Sequence, residues 1–136
     1  MWTDDEDAHS GGWAEVLRAG DALVLRLGAG ADRNHRPFTF RFVITPEHLD
    51  VLRDDVGRYL LADYVVRRLC ERTNGERTPN KKKVRRLLDR ILLEPEPEVD
   101  AWFRSDETGM RDLAAAGADP ALLQEGRVLA ALRHQA

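Results

Sequence analysis

Five basic side chains on one predicted helix are the residues of this sequence best suited to binding an anion. Helical spacing places Lys82, Lys83, Arg86 and Arg90 on the face opposite its apolar positions, and the fifth, Lys81, joins the other two lysines in the first turn. Residues 76–90 hold seven basic and two acidic side chains, a local charge of +5. The three lysines lie in the first turn, where the helix dipole disfavours cations, so they do not stabilise the helix itself. The pattern predicts a face that binds phosphate or carboxylate groups.

The same face has a plainer interpretation as a solvated helix surface. Residues 94–107 hold six acidic side chains and one basic one, a local charge of −5 that is available for compensation within the chain. No aromatic residue interrupts the basic run, which disfavours RNA or single-stranded DNA as a ligand because their bases stack on aromatic rings. Trp102 lies in the acidic segment and is interpreted either as a core anchor or as part of a partner surface.

A second polar group lies in the loop at residues 28–36. Its glycines are weak evidence for a phosphate cradle, because a strand and not a helix follows them. An Asp–His pair can act as acid and base, and an arginine can hold an anion, which makes a small enzyme one hypothesis. A surface hairpin loop with Asx turns is the other interpretation. The candidate residues are Asp32, Asn34, His35 and Arg36.

The remaining reactive residue types predict no cofactor and no metal. Cys70 is the single cysteine, so no internal disulfide can form, and no Cys/His cluster has zinc-ligand spacing. We expect Cys70 to be a small core residue. We expect His48, in the first turn of a long helix, to be a capping or solvated side chain.

Composition and the chain start indicate a cytoplasmic protein. The net charge is −3, so a nucleic-acid interaction would need a local basic patch. Residues 1–11 read as a flexible acidic arm, without the basic residues and apolar run of a signal peptide. No window approaches eighteen uninterrupted apolar residues, so no membrane partner is expected.

The order of the predicted elements favours an α+β fold in one domain, residues 12–136, after the acidic arm. Three runs, 13–18, 22–27 and 38–44, alternate with period two and predict a three-stranded antiparallel meander. The helices predicted after it are 46–72, with Thr45 and Pro46 as its start signal, 79–93, 98–104, 107–116 and 120–133. Such a sheet needs helices to cover its apolar side, so the helical C-terminal half should pack on it.

Four segments together carry a resemblance to a family of uncharacterised actinobacterial proteins. They are Gly28-Ala29-Gly30-Ala31-Asp32, Phe38-Thr39-Phe40, Glu98-Val99-Asp100-Ala101-Trp102-Phe103-Arg104 and Gly117-Ala118-Asp119-Pro120-Ala121-Leu122-Leu123. The similarity spans most of the chain after residue 11. It implies a bacterial cytoplasmic origin and transfers no site residues.

Three classes of function follow from these features. The first is a non-catalytic protein-interaction module of the immunity, antitoxin or regulatory type, with a protein partner that is acidic if it docks on the basic helix. The second is a nucleic-acid-binding regulator that uses the 81–90 face. The third is a small enzyme that uses the 32–36 loop. Self-association into a homo-oligomer stays open.

Overall fold

The computed structural model describes residues 14–30, 38–73 and 78–135. Its three strands are β1 (Glu15–Ala19), β2 (Ala22–Ala29) and β3 (Phe38–Ile44). Its helices are α1 (Pro46–Asp54), α2 (Val56–Glu71), α3 (Lys81–Leu93), α4 (Glu96–Arg104), α5 (Glu107–Ala115), α6 (Pro120–Gln124) and α7 (Val128–Gln135). The predicted acidic arm and most of the 28–36 loop lie outside the described residues.

The sheet is an antiparallel meander with β2 in the centre, as the sequence predicts. Gly20, at a φ of +63°, occupies the turn between β1 and β2, a conformation that costs glycine little. Alternation places Leu25 and its cross-strand partner Phe42 on the same buried face. On the opposite face of β3, Arg41 and Val43 are exposed, and Val43 keeps 65% of its surface accessible. The α+β prediction is therefore confirmed.

The predicted 46–72 helix is instead two helices that meet at Asp55. The backbone of Asp55 is extended, at φ −128° and ψ 97°, and its carboxylate accepts a hydrogen bond from the backbone N–H of Arg58. Asp55 thus ends α1 and caps α2 at once. The Thr45 start is confirmed, since its hydroxyl accepts from the backbone N–H of His48.

Three other helix bounds differ from the sequence prediction. α3 begins at Lys81, because Asn80 rather than Thr78 is its N-cap. α4 begins two residues earlier than predicted, at Glu96. The predicted 120–133 helix is divided into α6 and α7, with Gly126 at a φ of +79° between them.

One buried cluster joins the sheet to the helices. α2 crosses the inner face of the sheet, where Tyr59 donates to the carbonyl of Ala14 at 2.6 Å and Asp63 accepts from the N–H of Ala14 at 2.8 Å. α3 and α7 pack against α2, and the N-terminal half of α3 reaches β3. Within the described residues, no helix combines the length and apolar character needed to span a bilayer.

Candidate functional site

Helix α3 presents its basic face away from the core. Val84, Leu88 and Ile91 on its other side are almost completely buried. The side chain of Asn80 accepts hydrogen bonds from the backbone N–H groups of Lys82 and Lys83, at 2.9 and 3.1 Å. The first turn of α3 contains no acidic residue, which helices usually have there, and the Asn80 cap bonds its backbone N–H groups instead. The side chains of the three lysines are exposed to solvent.

A groove of about 570 Å³ lies between α3 and strand β3. Apolar groups of Val24, Phe42, Val43, Val84 and Leu88 form part of its lining. The rest of the lining is cationic, and we call the whole site the cationic groove. Its basic residues come from two elements and are Arg41, Lys81, Lys82, Arg85 and Arg86.

Most cations of the groove lack a carboxylate partner among the described residues. Arg85 is the exception, with its Nε 3.3 Å from Oδ1 of Asp89. No described carboxylate lies within ion-pair distance of Arg41, Lys81, Lys82 or Arg86. Like charges therefore accumulate on both sides of a groove that is partly apolar, where an anion would be stabilised more than in open water.

The acidic residues of segment 94–107 do not neutralise the positive charge of this groove. Glu94 pairs with Arg90 at 3.5 Å, at the far end of α3. Asp106 pairs with Arg68, and this guanidinium lowers the pKa of the Asp106 carboxyl. Two further acidic residues of the segment have partners away from the groove. Glu96 forms an ion pair with Arg133, and Asp100 accepts a hydrogen bond from the backbone N–H of Leu129.

Arg90 and Trp102, both candidates from the sequence, lie together but outside the groove. The guanidinium carbon of Arg90 is 5.5 Å from the centroid of the Trp102 ring, within cation–π range. Trp102 is half-buried against the core and meets the ring of Phe103 edge to face. These contacts make Trp102 a packing residue of the core margin. Lys83 lines a smaller cavity of about 190 Å³ beside Trp102 and is likewise separate from the cationic groove.

The four loop candidates Asp32, Asn34, His35 and Arg36 lie outside the described residues. Two cations of the groove, Arg41 and Arg85, were missing from the sequence candidates. Alternation along β3 places Arg41 on the solvent side, but only the packing of α3 beside β3 brings it to the basic helix. Arg85 belongs to the same basic run as the predicted residues of α3.

The two buried side chains that could react, His48 and Cys70, are part of the core. His48 is completely buried, so the capping alternative is confirmed and the solvated one is wrong. Cys70 is a core residue as expected, and burial raises the pKa of its thiol to about 12. Among the described residues, no three His, Cys, Asp or Glu side chains are grouped closely enough to hold a metal ion.

The fold and site define a small α+β domain with a cationic groove at the edge of its sheet. The chain belongs to the family of unknown function DUF6357, whose model matches residues 6–136. No curated protein and no solved structure matches the chain. Membership of an uncharacterised family, as the sequence resemblance predicts, is thereby confirmed.

Proposed function

We propose that this protein is a non-catalytic interaction module that docks an acidic protein partner in the cationic groove. The observation that carries the proposal is the convergence of five cations from α3 and β3, of which Arg85 alone has a carboxylate partner among the described residues. A structural ion-pair network would have brought carboxylates to these positions. The other four cations of the groove can therefore pair with carboxylates of a partner molecule.

Charge of this kind acts mainly on the rate and the specificity of association. The whole chain carries −3, so the positive potential is confined to one face. A local patch accelerates the encounter with an oppositely charged protein surface and orients it. The apolar lining from Val43 and its neighbours then supplies desolvated contact area, which charge pairs at a rim do not provide.

A protein partner fits the groove better than a nucleic acid does. Phe42 is the single aromatic residue in the groove lining, and its ring is buried in the core, so no exposed ring is offered for base stacking. Duplex DNA needs phosphate contacts spread over a wide surface. The cations here are confined to a groove one helix and one strand wide, with an apolar part that phosphates would not use.

The experiment is a binding titration of the full chain with a fluorescent glutamate–valine peptide built of Val-Glu-Glu repeats. We expect binding that weakens as salt rises towards about 0.15 M, where screening is already substantial. The double variant Lys82→Glu/Arg86→Glu should bind at least tenfold more weakly. The control is Arg111→Glu, which reverses one charge at an exposed arginine on α5, away from the groove.

Gel shifts with duplex and single-stranded probes at the same salt complete the test. A low-micromolar shift that disappears in Lys82→Glu/Arg86→Glu would overturn the proposal in favour of nucleic-acid binding. Equal losses of peptide binding in the Arg111→Glu control would show a nonspecific charge effect and would also overturn it.

The proposal includes a cytoplasmic location. The supporting observation is the thiol of Cys70, which is free and buried and therefore suits a reducing compartment.

A further inference from the structure

We propose that the acidic partner binds as an extended strand that pairs with the free edge of β3. This inference rests on the proposed function and adds the conformation of the bound segment. It concerns one stretch of the groove wall, residues 41–43 of β3, which line the groove in succession.

β3 is an edge strand. All seven of its residues are in register with β2 on one side, and the described part of the chain places no strand on its other side. An edge strand presents alternate N–H and C=O groups that another extended segment can pair with. Helix α3 lies beside this edge, but its backbone groups are bonded within the helix or, at Lys82 and Lys83, to the Asn80 side chain, so α3 does not continue the ladder.

The side chains around this edge specify the sequence pattern of the added strand. Side chains of paired residues lie on the same face of a sheet. A residue opposite Arg41 on the outer face should therefore be acidic, and a residue opposite Val43 should be apolar. A residue opposite Phe42 would turn towards α3, where Lys81 and Lys82 favour a carboxylate. The expected ligand is an extended segment that mixes acidic and β-branched residues.

A second copy of this chain is a poor occupant of the same edge. Pairing of two β3 edges would bring Arg41 and the α3 cations of both copies together, and like charges in a partly apolar groove repel strongly. The charges that favour an acidic strand thus also act against edge-to-edge association of the protein.

The deciding experiment is amide hydrogen exchange by NMR on the full, isotope-labelled chain, with and without the glutamate–valine peptide. We expect the β3 amides that do not bond to β2 to exchange at least tenfold more slowly in the complex. Nuclear Overhauser contacts should connect the peptide backbone to residues 41–43. Val43→Glu should weaken binding at least tenfold, while Thr39→Glu, exposed on the same face and outside the groove lining, should leave it within twofold.

The outcomes separate this inference from the proposed function. If the peptide binds and depends on Lys82 and Arg86 but the exchange of β3 amides is unchanged, strand addition is wrong and acidic docking stands. If the peptide does not bind at millimolar concentration, both fail. Dimerisation of the free protein that is lost in Val43→Glu would overturn the inference by assigning the edge to a second copy.

Discussion

Nε2 of His48 lies 2.7 Å from Oδ1 of Asp89, and this pair ties α1 to the basic helix α3. Nδ1 of His48 accepts from the backbone N–H of Thr45 at 3.2 Å, so in this arrangement the ring proton is on Nε2 and is donated to Asp89. The same carboxylate oxygen also accepts from Nε of Arg85. A buried imidazole and a cation of the groove therefore share one acceptor, which links the fold directly to the site.

Two substitutions of Asp89 should separate these roles. Asp89→Asn keeps an acceptor for His48 but removes the charge that Arg85 pairs with, so we expect tighter binding of the acidic peptide and little loss of stability. Asp89→Ala leaves Nε2 of the buried His48 unpaired, which should cost about 1–3 kcal/mol in the free energy of unfolding. Urea denaturation and peptide titration of both variants provide the check, and equal stability losses would contradict it.

The inner and outer faces of β3 should respond differently to truncation. Phe40 is buried on the core face, so Phe40→Ala should lower the free energy of unfolding by roughly 3–5 kcal/mol through lost burial and a residual cavity. Thr39 is exposed on the other face, and Thr39→Ala should cost far less. The measurement is a pair of urea melts. Similar losses for the two variants would mean that the register in the structure is incorrect.

The elements that sequence patterns predicted well are those that local rules determine. The alternating phenylalanines of β3 and the Thr45–Pro46 start of α1 were both recovered, because strand alternation and helix capping depend on near neighbours. The break at Asp55 is the exception among the local features, because its cap, an acceptor for the backbone N–H of Arg58, is itself local and yet the apolar pattern continues across it. The bond from Arg133, which is 78 residues further along the chain, also holds the Asp55 carboxylate, and no local pattern reports that contact.

The site was predicted in part for the same reason. The basic face of α3 follows from helical spacing, which predicts Lys82 and Arg86, and the charge of the first turn adds Lys81. The groove exists because β3 lies next to that face and adds Arg41 and Val43. That contact is a property of tertiary packing between segments about 40 residues apart, and the helix pattern contains no information about it.

Because α2 and α7 approach closely at Gly57, replacing this glycine with alanine should lower the free energy of unfolding. A Cβ atom added at Gly57 would lie 2.7 Å from the carbonyl oxygen of Leu129 and 3.0 Å from Cγ of Arg133. The first contact is with backbone and cannot be relieved by rotating a side chain. Gly57→Ala should therefore destabilise the protein by roughly 1–3 kcal/mol, despite the gain of about 1 kcal/mol in helix propensity. A higher melting temperature for Gly57→Ala would refute this prediction.

The ion pair of Arg133 with Asp55 should make stability depend on pH in the acid range. The two side chains are joined at 2.8 and 3.1 Å, and Arg133 also reaches Glu96 at 2.9 Å. Burial of Asp55 acts to raise its pKa, but the hydrogen bonds from Arg133 and from the backbone of Arg58 outweigh burial, so the pKa is lowered. The folded state thus holds the Asp55 proton less tightly than the unfolded state does.

It follows that the stabilisation from Asp55 is fully present above the unfolded pKa, near 4, and is lost as pH falls through the lower folded value. Asp55→Asn is the informative variant, because asparagine caps a helix as well as aspartate does and removes only the charge. We expect Asp55→Asn to be about 1–2 kcal/mol less stable than the native chain at pH 7, a charged hydrogen bond discounted for partial exposure. That difference should shrink in urea melts as the pH falls below about 4, and a difference that stays constant with pH would show that the ion pair contributes nothing to folding.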